Sequence, residues 1–249
     1  MDFVDRVAII TGADSLRGIG RATAEFMARR RCNVVLSGLR FENIQEIVRN
    51  MKSMDFNAIG IKADIRRKDD AARMVEKTIN EFGKIDILVN NAGDSQSMTL
   101  FDMTVDDWNK SLETNLTGAF ICSQAVLAHM KERRYGRIVH VSSIAARRGG
   151  GLLGGGHYAS AKAGLIGFSK ALAREVAPYG ITSNCVIPGS CQTDVGGIRL
   201  EDKPVPADLP MGRRGETAEV ASAIAYLACD YAGFITGASL DVNGGAYMP

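Results

Sequence analysis

Short apolar runs rich in β-branched residues recur along this chain, at positions 7–11, 33–37, 58–62, 85–90, 137–143, 181–187 and 239–243. Between them the apolar positions return every three to four residues, the period of a helix packed on one face. The runs around Ile9, Val35, Leu88, Val139 and Val186 are apolar almost throughout instead of alternating with polar residues. A strand covered on both faces gives that pattern, whereas a strand with one wet face alternates. Such strands alternating with helices predict an α/β fold, a doubly wound, Rossmann-like parallel sheet. No repeat, Pro-rich linker or break in composition divides the chain, so its 249 residues read as a single domain with room for a sizeable core. The one Pro-rich stretch, 203–210, falls between a strand and a helix and reads as part of a lid over about 194–210.

Charge changes this picture little. Lys and Arg total 30 against 28 Asp and Glu, and a formal charge of +2 supplies no field for nucleic acid or an anionic membrane. No apolar stretch approaches the roughly 20 residues of a membrane span, and the N-terminal apolar run is too short for a signal peptide. A cytoplasmic protein acting on small molecules is expected. The 5 cysteines are scattered without a C-x-x-C pair, which argues for free thiols over a disulfide framework or a zinc site. Cys191 has no His near it in sequence and is assigned no role.

In an open parallel sheet, ligands bind beyond the carboxyl ends of the strands, and the first strand-to-helix turn receives a pyrophosphate. Here that turn reads TGADSLRGIG, with Gly12, Gly18 and Gly20 permitting a tight approach and a helix starting near Ile19 aiming its N–H groups at the anion. Thr23 stands where a strict G-x-G-x-x-G would have its third Gly, so the turn alone is a weak signal. Tyr158 and Lys162 lie one helical turn apart and share a face if 158–170 is helical. An ammonium at about 4 Å and an effective dielectric of about 20 stabilises a phenolate by about 4 kcal/mol, which would bring Tyr158 toward neutral pH. Strand alternation turns only one of Ser142 and Ser143 into the pocket. His157 reads as a surface or pocket-lining residue, and the run Arg29, Arg30, Arg31 as the cationic last turn of the first helix.

T-G-x(n)-G-I-G, NNAG at 90–93, the serines 142 and 143, YASAK at 158–162 and PG at 188–189 occur in one order across the whole chain. Together they resemble the short-chain dehydrogenase/reductase family. The resemblance implies hydride transfer between a nicotinamide and a carbonyl or secondary alcohol. Ser143, Tyr158, Lys162 and Asn115 would be catalytic, Asn115 supporting Lys162 through a water and Lys162 also bonding the nicotinamide ribose. It further implies cofactor contacts from Gly12, Arg17, Gly18, Ile19 and Gly20, from Asp64 and Ile65 near the adenine, from Asn90, Asn91, Ala92 and Gly93 beside the adenosine ribose, and from Pro188, Gly189 and Thr193 at the carboxamide.

By the same resemblance Gly38 stands where an NAD-preferring member carries an acid, while Arg17 and Arg40 could meet a 2′-phosphate. NADP is the expected cofactor and NAD the alternative, Glu42 keeping the latter open. The glycine turn and the segment 143–158 are both longer than usual for the family. Its 3-oxoacyl-thioester reductases and its sugar or polyol dehydrogenases are the groups resembled, and Arg199, Glu201, Asp202 and Lys203 suggest a small polar substrate at least as much as a lipid. A non-catalytic dinucleotide-binding regulator would have no reason to keep the four catalytic residues together. Assembly as a homotetramer is implied, through the helices carrying Asn115 and Tyr158 and the C-terminal strand, with Ala159, Ala163 and Ala171 permitting close packing.

Overall fold

The computed structural model describes residues 1–150, 154–195 and 198–249. Along the chain run β1 (Val7–Thr11), α1 (Ile19–Ala28), β2 (Asn33–Gly38), α2 (Phe41–Lys52), β3 (Ala58–Lys62), α3 (Lys68–Phe82), β4 (Ile87–Asn90) and α4 (Val105–Leu112). A π-helical turn, Glu113–Thr117, then joins α5 (Gly118–Glu132), β5 (Gly136–Val141), the short α6 (Ala145–Arg148), α7 (Gly156–Val176) and β6 (Ile181–Pro188). A hairpin of β7 (Asp194–Val195) and β8 (Ile198–Arg199), α8 (Thr217–Ala228) and β9 (Ser239–Val242) complete the fold.

The sheet has 7 strands in the order β3-β2-β1-β4-β5-β6-β9, every neighbouring pair parallel. Successive strand residues face opposite ways, so the central strands feed two cores. Ile10, Leu36, Val89 and Val139 pack with Met27 of α1, Ile44 of α2 and Ile224 of α8 on one face. Ile9, Val35, Leu88 and Ile138 pack with Met74 of α3, Val126 of α5 and Leu172 of α7 on the other. The order reverses between β1 and β4, and the diverging loops there open a crevice above the carboxyl ends of the strands.

Differences from the expected boundaries have local causes. The fourth strand begins at Ile87 because Ile85 is held by His129, whose Nε2 accepts its amide at 3.1 Å, and the buried Asp86 is engaged by Arg6, Lys84 and Arg133. The fifth stops at Val141, since Ser143 already turns into α6 and its hydroxyl accepts the Ala145 amide at 3.2 Å. The helix that carries Tyr158 and Lys162 starts at Gly156 and runs to Val176, which puts Tyr158 in its first turn. Ala163 and Ala171 are exposed on α7, but Ala159 is buried within its own chain and leaves the expected packing face.

Candidate active site

The crevice encloses about 1020 Å³ and reaches from the end of β2 to Tyr158. Its floor begins at Gly12, whose φ of +63° is a left-handed conformation, and a Cβ there would fall 2.5 Å from the Ala92 Cα. The Thr11 hydroxyl accepts the amides of Asn91 and Ala92, both at 3.1 Å, and Asn91 Nδ2 donates to the carbonyls of Thr11 and Gly12, clamping the ends of β1 and β4 together. Gly18 caps α1 without a side-chain bond, and no acid stands in the first turn. The first-turn amides, which no helix partner can satisfy, are therefore available to an anion, and Ile19 lines the crevice beside them. A dinucleotide fits this floor.

At the adenosine end the structure rearranges several expected contacts. Gly38 is not an empty acid position. The Asp14 carboxylate lies against it, and a Cβ on Gly38 would fall 2.6 Å from the Asp14 Cγ. Arg40 lines the crevice with its Nε 3.3 Å from Asp14 Oδ2, but Arg17 is not brought to it. The longer glycine turn carries Arg17 toward β7, where its Nε lies 4.0 Å from Asp194. Asp64 and Ile65 line the crevice, the Asp64 carboxylate already held by Arg66 at 2.6 Å, and that guanidinium keeps it below the usual carboxylate range. Asn90 points away from the crevice, and its Nδ2 donates to Ser123 at 3.0 Å in the buried layer below. Asn91, Ala92 and Gly93 line the crevice, as do Pro188, Gly189 and Thr193 at the opposite end.

Ser143, Tyr158 and Lys162 line the crevice together. The Ser142 hydroxyl is spent on the Lys162 carbonyl, at 2.8 Å, while the Ser143 side chain faces the Tyr158 phenol. Lys162 is buried and its Nζ donates to the Val141 carbonyl at 3.0 Å, 5.8 Å from the centre of the Tyr158 ring. Burial lowers its ammonium to about 8. The expected lowering of the phenol is absent: burial raises Tyr158 above its ordinary value, the Ser143 contact opposes, and the nearby Asp94 adds to the rise. Aimed at a backbone carbonyl, the ammonium does not offset what desolvation costs the phenolate.

Asn115 sits in the π turn, not in a regular helix interior. The extra residue in that turn lets its amide group clamp the Asp94 backbone, Nδ2 donating to the carbonyl at 2.9 Å and Oδ1 accepting the amide at 3.2 Å. A Cβ on Gly93 would meet both Asn115 Oδ1, at 2.7 Å, and Lys162 Nζ, at 3.1 Å, so the two polar groups approach each other across that glycine. His157 is buried, neither exposed nor lining the crevice.

A family model described as enoyl-(acyl carrier protein) reductase matches residues 12–247. The 3-oxoacyl-(acyl-carrier-protein) reductase FabG of Escherichia coli (strain K12) is 42% identical over 250 residues, covering 100% of both chains. The uncharacterized short-chain type dehydrogenase/reductase y4mP of Sinorhizobium fredii is 36% identical over 244 residues, covering 96% of each chain. The chain belongs to the short-chain dehydrogenase/reductase family. It is an oxidoreductase.

The substrate side of this short-chain dehydrogenase/reductase holds features that sequence reading missed. Arg214 is buried, donating to the carbonyls of Lys203 and Pro204, both at 2.7 Å, and to the Ser190 hydroxyl at 3.1 Å, so one guanidinium fastens the segment after β8 over the crevice. Nothing in the local sequence separates Arg214 from the adjacent, exposed Arg213. Leu200, Pro206 and Leu209 line the crevice, while Arg199, Asp202 and Lys203 are exposed and do not. Of the charged residues taken as a sign of a polar substrate, these three therefore stay outside the crevice, and Leu200, Pro206 and Leu209 line it together with Asp194 and Asp208. The Glu201 side chain and residues 151–153 lie outside the described residues. Cys191 lines the crevice, but burial pushes its thiol up to about 12, which removes it as a nucleophile near neutral pH. Among the described residues, no helix is long and apolar enough to cross a membrane.

Proposed function

We propose that this enzyme uses NADPH to reduce the ketone of a 3-oxoacyl thioester to the secondary alcohol, as a cytoplasmic homotetramer with a lid over about 194–210. The observation that carries the reading is the meeting of Ser143 and Tyr158 in the crevice lining, with Lys162 and Asn115 approaching each other across Gly93. The bound nicotinamide supplies the hydride. The Ser143 hydroxyl bonds the substrate oxygen and shares the charge that develops on it. The Tyr158 phenol, kept protonated by burial, gives its proton to that oxygen. Lys162 holds a positive charge behind the phenol and would hold the nicotinamide ribose when the cofactor is bound. Asn115 fixes the Asp94 backbone and the space around the ammonium. Arg40, which lines the crevice at the end of β2, would hold the 2′-phosphate.

The acyl preference rests on the substrate named for the Escherichia coli relative and is supported by the apolar Leu200, Pro206 and Leu209 in the crevice lining. The test follows absorbance of the reduced nicotinamide with NADPH and a panel of 3-oxoacyl thioesters, 2-enoyl thioesters and sugar ketones. Turnover is expected with the 3-oxoacyl compounds. Preference for the enoyl compounds, which the family model's description names, or for sugars would replace this reading.

A further inference from the structure

The end of β2 is built as an anion seat, and the chain fills that seat itself. The amides of Leu39 and Arg40 and the Arg40 Nε converge on one oxygen, Asp14 Oδ2, at 3.1, 2.9 and 3.3 Å. The Asp14 side chain is only 13% exposed, and its carbonyl accepts Asn43 Nδ2 at 3.0 Å, which ties the glycine turn to α2. Gly38 leaves the space the carboxylate occupies. Asp14, Gly38, Leu39 and Arg40 all line the crevice, at the strand end where a dinucleotide places its adenosine ribose. A ribose 2′-phosphate would seek the same donors, two amides and a guanidinium, that Oδ2 already uses.

We propose that Asp14 sets the choice between the two nicotinamide cofactors: its carboxylate competes with the 2′-phosphate of NADP for the seat at Leu39 and Arg40 and, left in place, accepts from the ribose hydroxyls of NAD. The inference rests on the NADPH reading above and adds that NAD binds as well. The acid that dinucleotide folds usually carry at the end of the second strand comes here from the glycine turn, two residues after Gly12. NADP binds by displacing Asp14 and recruiting the freed Arg40; NAD binds with the pair intact.

Calorimetric titration of NADP⁺ and NAD⁺ into the wild type, Asp14→Asn and Gly38→Ala tests this without turnover. Asp14→Asn keeps the side-chain shape and removes the charge. Gly38→Ala keeps the charge and places a methyl group where the carboxylate lies. Each is expected to raise the affinity for NADP⁺ relative to NAD⁺ by about tenfold, the scale of one charge-assisted contact. Arg40→Ala added to Asp14→Asn should cancel the gain. A ratio unchanged within about twofold of wild type, or moved toward NAD⁺, in whichever of the two variants folds overturns the inference. A wild type that binds NADP⁺ yet oxidises NADPH with no carbonyl compound would instead overturn the proposed reductase and leave this inference standing.

Discussion

Lys162 keeps its charge where burial disfavours it, and that gives the reaction a pH limit. In the free enzyme its ammonium is lowered to about 8, while Tyr158 is raised and stays protonated throughout the neutral range. Reduction needs both protonated, so kcat/KM for the carbonyl should hold level through neutrality and fall as pH rises past about 8; a flat profile to the alkaline limit of stability would contradict the assignment. Gly93→Ala would force a methyl group to within 2.7 Å of Asn115 Oδ1 and 3.1 Å of Lys162 Nζ. Overpacking of this kind costs about 1–3 kcal/mol, readable as a lower urea midpoint, and activity should fall more than stability does. The pairing of Tyr158 with Lys162 was legible in their spacing, because a helix puts such residues on one face. The sign of the phenol shift was not, because spacing says nothing about where the ammonium points, and it points at the Val141 carbonyl.

Among the elements, the segment from Ser190 to Arg214 separates what periodicity reveals from what it conceals. A loop has no repeat that marks its inner face: Arg199, Asp202 and Lys203 are exposed, while Leu200, Pro206 and Leu209 line the crevice together with Asp194 and Asp208. The same limit hid Arg214, whose role depends on carbonyls ten or more residues away in the chain. Arg214→Met removes those bonds while keeping much of the buried bulk. KM for the carbonyl substrate should rise at least tenfold and the cofactor dissociation constant should change less than about threefold, since carbonyls left without a partner cost about 1–3 kcal/mol on the substrate side alone. Equal weakening of both ligands would contradict a lid anchor. The π turn at Glu113–Thr117 is likewise absent from any hydrophobic pattern, although Asn115 itself stood out as a poor residue for a helix interior.

Across the whole molecule, the strands followed the apolar runs closely because the central ones, β1, β2, β4, β5 and β6, are buried on both faces. The strand order, and with it the crevice between β1 and β4, depends on contacts far apart in sequence and came from the structure. On α7 the exposed Ala163, Gly167 and Ala171 form a face of small residues, and a Cβ added at Gly167 would meet nothing within 4 Å. Homotetramer assembly through that face predicts a solution mass four times that of the chain at micromolar concentration by light scattering; a monomeric mass would contradict it. The central claim, that Tyr158 delivers the proton during NADPH-dependent carbonyl reduction, is tested most directly by measuring turnover and NADPH affinity together in Tyr158→Phe. The account predicts a loss of kcat of at least about a hundredfold with NADPH affinity within a few fold of wild type. Retention of more than about a tenth of the wild-type rate would contradict it.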